Sequence, residues 1–281
     1  MVVKLKNNLN LKDFKLGFDP EFLLLDTNLN RHVSGLTYNF GDKSNGREIC
    51  PDCTVENDMV TLEIVLPPVN IEDGLDKCWE NFSTVKDLLQ KELPENIVID
   101  CCSYAEFTKE ELATEKASTG GCSIDFNAWN NGEPNKSPKF KTPYRSSGAH
   151  IHFGMPTLTY KQMVQIVKLT DLFITLPLIF NQSNIERRKL YGAAGAFRCV
   201  EGRVEARSPS NCYWSSKEGL EWVFNQAKII LGLVDTEIME TVEYYKEKII
   251  EAINFDNLEL ATELMEIFNI KYAPLPVLET T

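Results

Sequence analysis

Polar side chains with metal-binding or ion-pairing chemistry occupy alternating positions in short β-like segments of this chain. They are Asp19 and Glu21, Glu63 between two aliphatic residues, His150 and His152, and Arg203, Glu205 and Arg207. Side chains two positions apart on a strand face the same side of the sheet. Charged groups on an inner sheet face are costly unless they hold a metal or meet ligand charge. Four such faces in one chain predict an active-site channel rather than a solvated surface.

Each face also has a simpler interpretation when it is taken alone. A charged pair two residues apart is typical of the solvated side of an antiparallel sheet. Glu63 alone is compatible with a charge that protects an edge strand from aggregation. Pro20, between Asp19 and Glu21, should lie at an edge or a bulge if it is in a strand. A lone His-x-His is either structural or a zinc or manganese site, but two of the chain's 3 histidines form this pair beside glycines.

Arginines are concentrated in one stretch of an otherwise acidic chain. Planar guanidinium groups suit phosphate and carboxylate recognition, and the glycines interspersed here permit close backbone approach. A helix or loop with solvated charges is the alternative. The chain has no P-loop, no strand-linked G-x-G-x-x-G and no G-x-S-x-G elbow, which argues against those nucleotide and hydrolase sites. The arginines are Arg187, Arg188, Arg198, Arg203 and Arg207.

The net charge of the chain limits the classes of partner that it is expected to bind. With 29 basic and 41 acidic residues, the formal net charge is −12, which argues against a general nucleic-acid or anionic-membrane binder. ATP remains compatible, because a divalent metal can screen its phosphates. The most apolar stretch, residues 167–180, is interrupted by polar residues and is too short to span a bilayer, so we expect no membrane association.

The 8 cysteines are interpreted as reduced thiols, because the N-terminus lacks an apolar signal-peptide core and a chain of this length does not need disulfide staples. Cys50 and Cys53 form a lone CxxC, for which a zinc site is the less favoured alternative. We therefore expect a cytoplasmic protein.

Hydrophobic periodicity predicts strands in the first half and helices at the end. We expect strands near residues 15–25, 59–66, 97–104, 149–153 and 203–207, and an irregular surface loop over residues 127–147. Helices are predicted near residues 71–92, 159–181 (with Pro177 kinking the last turn), 216–233, 236–254 and 257–268. No linker divides the chain, so we expect one α+β domain over residues 1–281, with a helical C-terminal layer over about 215–281.

Five segments together resemble a known family. Two of them, SGAHIH at residues 147–152 and RVEAR at 203–207, are similar to signatures of the glutamine synthetase-like carboxylate–amine ligases. The others resemble, more narrowly, the phage COOH-NH2 ligase type 2 group. They are GFDPEF at residues 17–22, CSIDFNAW at 122–129 and RKLYGAAGAFR at 188–198, and all five lie within about residues 15–215.

The resemblance implies a curved antiparallel sheet around the active site, with helices packed outside it. ATP enters one end of the site, and the acid and the amine enter the other. ATP phosphorylates a carboxylate, and the amine displaces phosphate from the acyl phosphate to form an amide or peptide-like bond. Divalent metals, Mg²⁺ with Mn²⁺ as an alternative, bridge the phosphates. Small-molecule or peptide acids and amines are the implied partners, and a phage-encoded enzyme would act in the host cytoplasm.

The same resemblance assigns roles to residues. Glu21 and Glu63 are expected to bind one metal, and Asp19, Glu205 and His150 a second. Asp19 stands where the wider superfamily usually has Glu. A further carboxylate before Glu63 is Glu56 or Asp58, of which we favour Glu56. The expected nucleotide-binding residues are His152, Arg198, Arg203 and Arg145, although the ligand of Arg145 could be phosphate or the substrate carboxylate. The expected catalytic residues are Arg198, Arg203, Glu205 and Arg207.

Two other functions remain open from the sequence. A zinc or manganese hydrolase could use His150, His152 and the nearby carboxylates, and a non-catalytic binding protein could keep the same fold. The arginines favour the ligase, because phosphoryl transfer needs charge neutralisation that metal-assisted hydrolysis does not.

Overall fold

The computed structural model describes residues 9–118, 125–135, 142–183 and 185–278. The first three residues of the CSIDFNAW segment, which begins with Cys122, lie outside these ranges. The strands of the described chain are β1 (Lys15–Asp26), β2 (Arg31–Val33), β3 (Gly41–Asp42), β4 (Asn45–Cys50), β5 (Cys53–Asp58), β6 (Thr61–Asn70), β7 (Ile97–Asp100), β8 (Tyr104–Glu106), β9 (Phe126–Asn127), β10 (Glu133–Pro134), β11 (Tyr144–Ser146), β12 (Ala149–Gly154), β13 (Ala196–Val200) and β14 (Arg203–Ala206).

Helices dominate the second half of the described chain. They are α1 (Leu75–Glu92), α2 (Glu115–Ser118), α3 (Tyr160–Thr170), α4 (Leu176–Leu178), α5 (Ile185–Leu190), α6 (Lys217–Leu233), α7 (Ile238–Tyr244), α8 (Lys246–Asn254) and α9 (Leu258–Ile267). A π-helical segment, Asp171–Thr175, connects α3 to α4.

Twelve of these strands form one sheet, in the order β10-β9-β13-β14-β12-β1-β6-β5-β4-β3, with β2 and β7 also paired to β1. Every strand pair within the described residues is antiparallel. The first half of β1 pairs with β12 and β6, and its second half with β2 and β7. The predicted α+β class, with a large antiparallel sheet and helices outside it, is confirmed.

Alternation along β1 separates an apolar face from a charged one. Phe18 and Phe22 face away from Asp19 and Glu21, into the core. The Phe18 ring lies 5.4 Å from that of Trp214 and 5.8 Å from that of Phe224 in α6, and the Phe22 ring lies 5.7 Å from that of Phe82 in α1. Helices α1 and α6 therefore cover one face of the sheet and leave the other to the charged side chains.

The position of Pro20 in the sheet differs from the one that the sequence predicted. It lies inside a central strand and pairs with Ala149 of β12, whereas we expected an edge or a bulge. The neighbouring Glu21 amide donates to Gly148 O (2.8 Å) on the β12 side, so the nitrogen of Pro20 faces β6. The β1–β6 ladder has no paired residue between Phe18 and Glu21. The missing N–H of Pro20 therefore costs no ladder bond.

Predicted boundaries differ from the structure in several places. The helix expected from residue 71 begins at Leu75, after a turn. The helix over 159–181 widens into the π-helical segment before Pro177, which cannot donate a hydrogen bond to the preceding turn. The helix over 236–254 is divided at Tyr245, the strand over 97–104 ends at Asp100, and the loop over 127–147 contains short strands. None of the described helices is long and apolar enough to cross a membrane.

Candidate active site

Strand register brings the polar side chains onto one face. Residues paired across antiparallel strands point to the same side, and the pairs here are Asp19 with His150, His152 with Glu205, Arg198 with Glu205, Glu21 with Glu63, and Glu56 with Glu63. Six neighbouring strands, from β13 across to β5, therefore contribute to one continuous charged surface, which we call the charged face. The alternation noted in the sequence predicted it.

The histidine cluster lies at the centre of the charged face. His152 Nε2 lies 3.1 Å from Asp19 Oδ2, and His150 Nδ1 lies 3.1 Å from Asp19 Oδ1 and 3.4 Å from Glu205 Oε1. One ligand atom from each of Asp19, His152 and Glu205 lies within 4.8 Å of the others. His150 is therefore close to Asp19 and Glu205, as expected if the three residues bind one metal, and His152 lies equally close to Asp19.

The carboxylate cluster lies beside it. Glu21, Asp58 and Glu63 are buried, and one oxygen from each lies within 4.8 Å of the others. Asp58 rather than Glu56 completes this triad; Glu56 is half-buried and pairs across the strands with Glu63. The Lys43 ammonium reaches the cluster, with Nζ 2.7 Å from Asp58 Oδ2 and 3.9 Å from Glu63 Oε2.

The electrostatics of the two clusters differ. Burial would raise the pKa of Asp19, but the adjacent His150 and His152 outweigh it and lower that pKa well below its usual value. Burial raises the pKa of Glu63 well above its usual value, and the carboxylates of Asp19 and Glu21 raise it further. Burial also raises the pKa of Glu21. The cluster therefore favours protonated carboxyl groups, because full ionisation would place more negative charge there than Lys43 alone compensates.

The donor atoms fit divalent metals. Asp19 Oδ1, Glu63 Oε2 and His150 Nδ1 are buried and make no well-aligned hydrogen bond to a described residue, although Asp19 Oδ1 and His150 Nδ1 lie 3.1 Å apart as an ion pair. Such groups are costly to bury unless a ligand completes them. Carboxylate oxygens suit Mg²⁺, and carboxylates with imidazole also suit Mn²⁺ or Zn²⁺.

Three arginines border the histidine cluster. Arg198 binds the Glu205 carboxylate through two nitrogens, Nε–Oε2 3.0 Å and Nη2–Oε1 2.8 Å, and Arg207 Nη1 lies 3.2 Å from Oε1. Arg203, at the start of β14, is exposed. Arg198 and Arg203, together with His152, Glu205 and Gly17, line a cavity of about 1220 Å³ that extends over the ends of β1 and β12. This cavity is large enough for a nucleotide.

Tyr191 is a site residue that the sequence did not single out. Its hydroxyl lies 3.1 Å from His150 Nε2, and its ring lies under the Arg207 guanidinium at 4.8 Å. Tyr191 therefore fixes a proposed metal ligand and a proposed catalytic arginine at once. Its place between two arginine-rich segments is a signal, but only the fold shows which residues it contacts.

The other arginines of the sequence cluster serve the fold instead. Arg187 is fully buried and donates to Ser147 O (2.8 Å), Ser208 O (2.9 Å) and Pro209 O (3.0 Å). Arg188 is buried too and donates to the carbonyls of Gly192 and Ser208. Arg187 thereby joins the segment before β12 to the segment after β14, which fixes the spacing of the two strands.

Arg145 has a similar environment. Its guanidinium donates to Ala117 O (3.0 Å), Thr142 O (2.8 Å) and Tyr144 O (2.7 Å), and it belongs to β11, in a separate two-stranded sheet with β8. The structure therefore surrounds Arg145 with backbone carbonyls and does not bring it to the histidine cluster. Its expected contact with the nucleotide stays a prediction.

Residues 138–268 of the chain match the family model described as Phage phiEco32-like COOH.NH2 ligase-type 2. The resemblance to this family is confirmed over that segment. The segment contains both histidines and the arginines of β13 and β14, whereas the carboxylates of β1, β5 and β6 precede it.

Other comparisons are weaker. No curated protein matches the chain. Among solved structures, "GmaS/ADP complex-Conformation 1" is similar with a TM-score of 0.37 and 10% identity, over 91% of this chain and 68% of that one. "Apo GmaS without ligand" is similar with a TM-score of 0.33 and 11% identity, over 90% of this chain and 65% of that one. The chain thus spans about two thirds of the length of these structures.

Proposed function

We propose that the protein is an ATP- and Mg²⁺-dependent carboxylate–amine ligase that forms an amide or peptide-like bond through an acyl phosphate. The observation that carries the proposal is the charged face, on which the histidine cluster lines an arginine-lined cavity and the carboxylate cluster lies beside the histidine cluster. A binding protein would have no need for so many buried charged side chains, of which the carboxylates of Glu21, Asp58 and Glu63 are only partly compensated. The family match over residues 138–268 supports the same reaction class.

In this proposal, the two clusters hold the metals. Asp19, His150 and Glu205, with His152 beside them, would hold one ion. Glu21 and Glu63 would hold another, with Asp58 completing the set and Glu56 adjacent. Bound Mg²⁺ would supply positive charge to the phosphate oxygens and to the reacting carboxylate.

The arginines would stabilise phosphoryl transfer. Arg203 is exposed at the cavity and is available to bind phosphate oxygens, with His152 across the same cavity. Arg198 and Arg207 are held by Glu205, so their planar groups are oriented before a nucleotide binds. Such preorganised donors neutralise the charge that develops during transfer at little reorganisation cost.

The amine would attack the acyl phosphate in its neutral form. Acyl transfer requires a neutral amine, so the ammonium form must lose its proton to a base before the C–N bond forms. The C–N bond then forms as the C–O bond to phosphate breaks. We propose further that one catalytic domain spans residues 1–281 and that the enzyme acts in the cytoplasm.

The test is ADP release, measured with panels of carboxylates in the presence of Mg²⁺. Hydroxylamine should trap the activated acid as a hydroxamate, which mass spectrometry identifies. Glu63→Gln should abolish both signals, while Glu240→Gln, an exposed carboxylate on α7, should change neither. Cleavage of a peptide under Zn²⁺, with no hydroxamate for any acid, would favour a hydrolase instead.

A further inference from the structure

A third group of metal-ligating side chains lies outside the charged face. His32, Asp100 and Cys102 each offer one ligand atom within 4.8 Å of the other two. His32 is the one histidine of the chain that is not in the histidine cluster. None of the three residues has a part in the proposed ligase reaction.

The strand order brings these residues together. The second half of β1 lies between β2 and β7, with Leu25 paired to His32 and Leu23 paired to Asp100. Leu23 and Leu25 are two residues apart, so His32 and Asp100 point to the same side of the three strands. Cys102 follows Asp100 by two residues and completes the group. Residues far apart in the sequence therefore converge on one point.

Burial and donor type favour zinc over the hard cations. His32 is 4% exposed and Cys102 is 6% exposed, while the Asp100 side chain is 36% exposed. Imidazole, carboxylate and thiolate are the ligands that Zn²⁺ takes in proteins, whereas Mg²⁺ prefers oxygen alone. Asp100 leaves one side accessible to water, which gives an entry path and a fourth ligand.

The ligand atoms of His32, Asp100 and Cys102 need to move only slightly to bind a zinc ion. His32 Nε2 lies 2.8 Å from Asp100 Oδ2, a hydrogen bond, and the Cys102 thiol donates to Tyr104 O at 3.0 Å. Tetrahedral zinc with bonds of about 2.0 Å to nitrogen and oxygen and about 2.3 Å to sulfur needs ligand atoms somewhat over 3 Å apart. A slight opening of the His32–Asp100 pair and rotation of the thiol therefore admit the ion, with the thiol proton released to solvent.

We propose that His32, Asp100 and Cys102 form a zinc site with three protein ligands and one water. The ion ties β2 to β7 across β1. It also fixes the backbone next to the carboxylate cluster, because Cys102 O accepts from Ser147 Oγ (2.7 Å) and the carboxamide of Asn211 donates to Glu21 O (2.8 Å) and to Ser147 Oγ (3.2 Å).

Cobalt substitution tests the site with a signal that the charged face cannot give, since the metal-competent clusters there contain no thiol. The reduced, chelator-treated protein is titrated with Co²⁺. We expect saturating Co²⁺ to produce a thiolate-to-cobalt charge-transfer band that corresponds to one cobalt–thiolate bond per chain, and Cys102→Ser to remove it. Cys53→Ser, at the CxxC hairpin, should keep the band, and His32→Gln should weaken binding at least about tenfold.

A second measurement uses the unmodified protein, in case a variant does not fold. Zn²⁺ should slow alkylation of Cys102, mapped by peptide mass spectrometry, and should raise the melting temperature. Absence of the charge-transfer band in the wild-type protein, or a band that survives Cys102→Ser, would overturn the proposal. So would a band that is lost in Cys53→Ser, or alkylation of Cys102 that Zn²⁺ does not slow.

Discussion

Replacing Glu63 by glutamine should stabilise the metal-free protein and weaken the metal-loaded one. Glu63 is 7% exposed, and burial together with the carboxylates of Asp19 and Glu21 raises its pKa well above the usual value. The folded state therefore favours the protonated form. The stability associated with that form is present below the unfolded pKa and is lost as the pH rises through the folded pKa. Glutamine keeps the shape and removes the charge.

The expected magnitudes follow from the same environment. Relief of a buried, poorly compensated charge is worth about 1–4 kcal/mol, so the metal-free variant should gain unfolding free energy in that range at neutral pH. Lys43, at 3.9 Å from Glu63 Oε2, offsets part of the charge and favours the lower half of the range. A metal at about 100 times its dissociation constant stabilises the wild-type protein by about 2.7 kcal/mol, and the variant should lose most of this.

The assay is urea unfolding at pH 5 and pH 8, with a chelator or with saturating Mn²⁺. In chelator, the advantage of Glu63→Gln should grow between pH 5 and pH 8, because over that range the unfolded wild-type chain ionises Glu63 while the folded state retains the proton. With Mn²⁺ the difference in unfolding free energy between Glu63→Gln and the wild type should become smaller or change sign. Glu240→Gln, on the exposed surface, serves as the matched control. A metal-free variant that is less stable than the wild type, or one that keeps the full Mn²⁺ stabilisation, would refute the reasoning.

Four further predictions follow from individual contacts. Arg207→Lys keeps the charge but loses the planar fork, so the rate of ADP formation should fall about 10²-fold while nucleotide affinity, measured by calorimetry, changes much less. Arg187→Met should cost about 3–5 kcal/mol of unfolding free energy in urea, because buried carbonyls lose their donor. Tyr191→Phe should lower the rate of ADP formation through the lost hydroxyl on His150 and leave the melting temperature nearly unchanged. Single Cys→Ser changes, including Cys199→Ser, should retain ligase activity, since burial raises the pKa of the Cys199 thiol and an acyl phosphate needs no thiol nucleophile.

The charged face was predictable because strand alternation is a local rule. Asp19 and Glu21, or His150 and His152, share a side whatever the partner strands are. Register was not predictable from the sequence, and it is register that pairs Asp19 with His150 and Glu21 with Glu63. The sequence therefore indicated which faces are polar, and the fold determines which of them meet.

The arginines show that the sequence alone does not distinguish structural from ligand-binding side chains. A buried guanidinium that satisfies carbonyls and one that awaits phosphate have the same sequence signature. Arg187 and Arg145 satisfy the carbonyls of distant segments, while Arg203 opens onto the cavity. Lys43 could not be predicted either, because its place beside Asp58 depends on how the β3–β4 hairpin folds over β5.

The π-helical segment ahead of Pro177 could not be predicted for a related reason. The π-helical segment ahead of Pro177 places Asp171 where it accepts from Trp129 Nε1 (2.6 Å) and Gly195 N (2.6 Å). Burial raises the pKa of Asp171 to about 6, and its hydrogen bonds lower it in part. A proline predicts a break in the helix, but the alternative hydrogen-bond register depends on these distant donors.

The central claim is that two metal clusters lie side by side on the charged face, next to a nucleotide cavity. A crystal grown with Mn²⁺ and a non-hydrolysable ATP analogue tests it through anomalous scattering at the manganese edge. We predict one peak within bonding distance of Asp19, His150 and Glu205, a second within bonding distance of Glu21 and Glu63, and analogue phosphates in contact with Arg203. Manganese found elsewhere, or an analogue bound away from both clusters, would contradict the account.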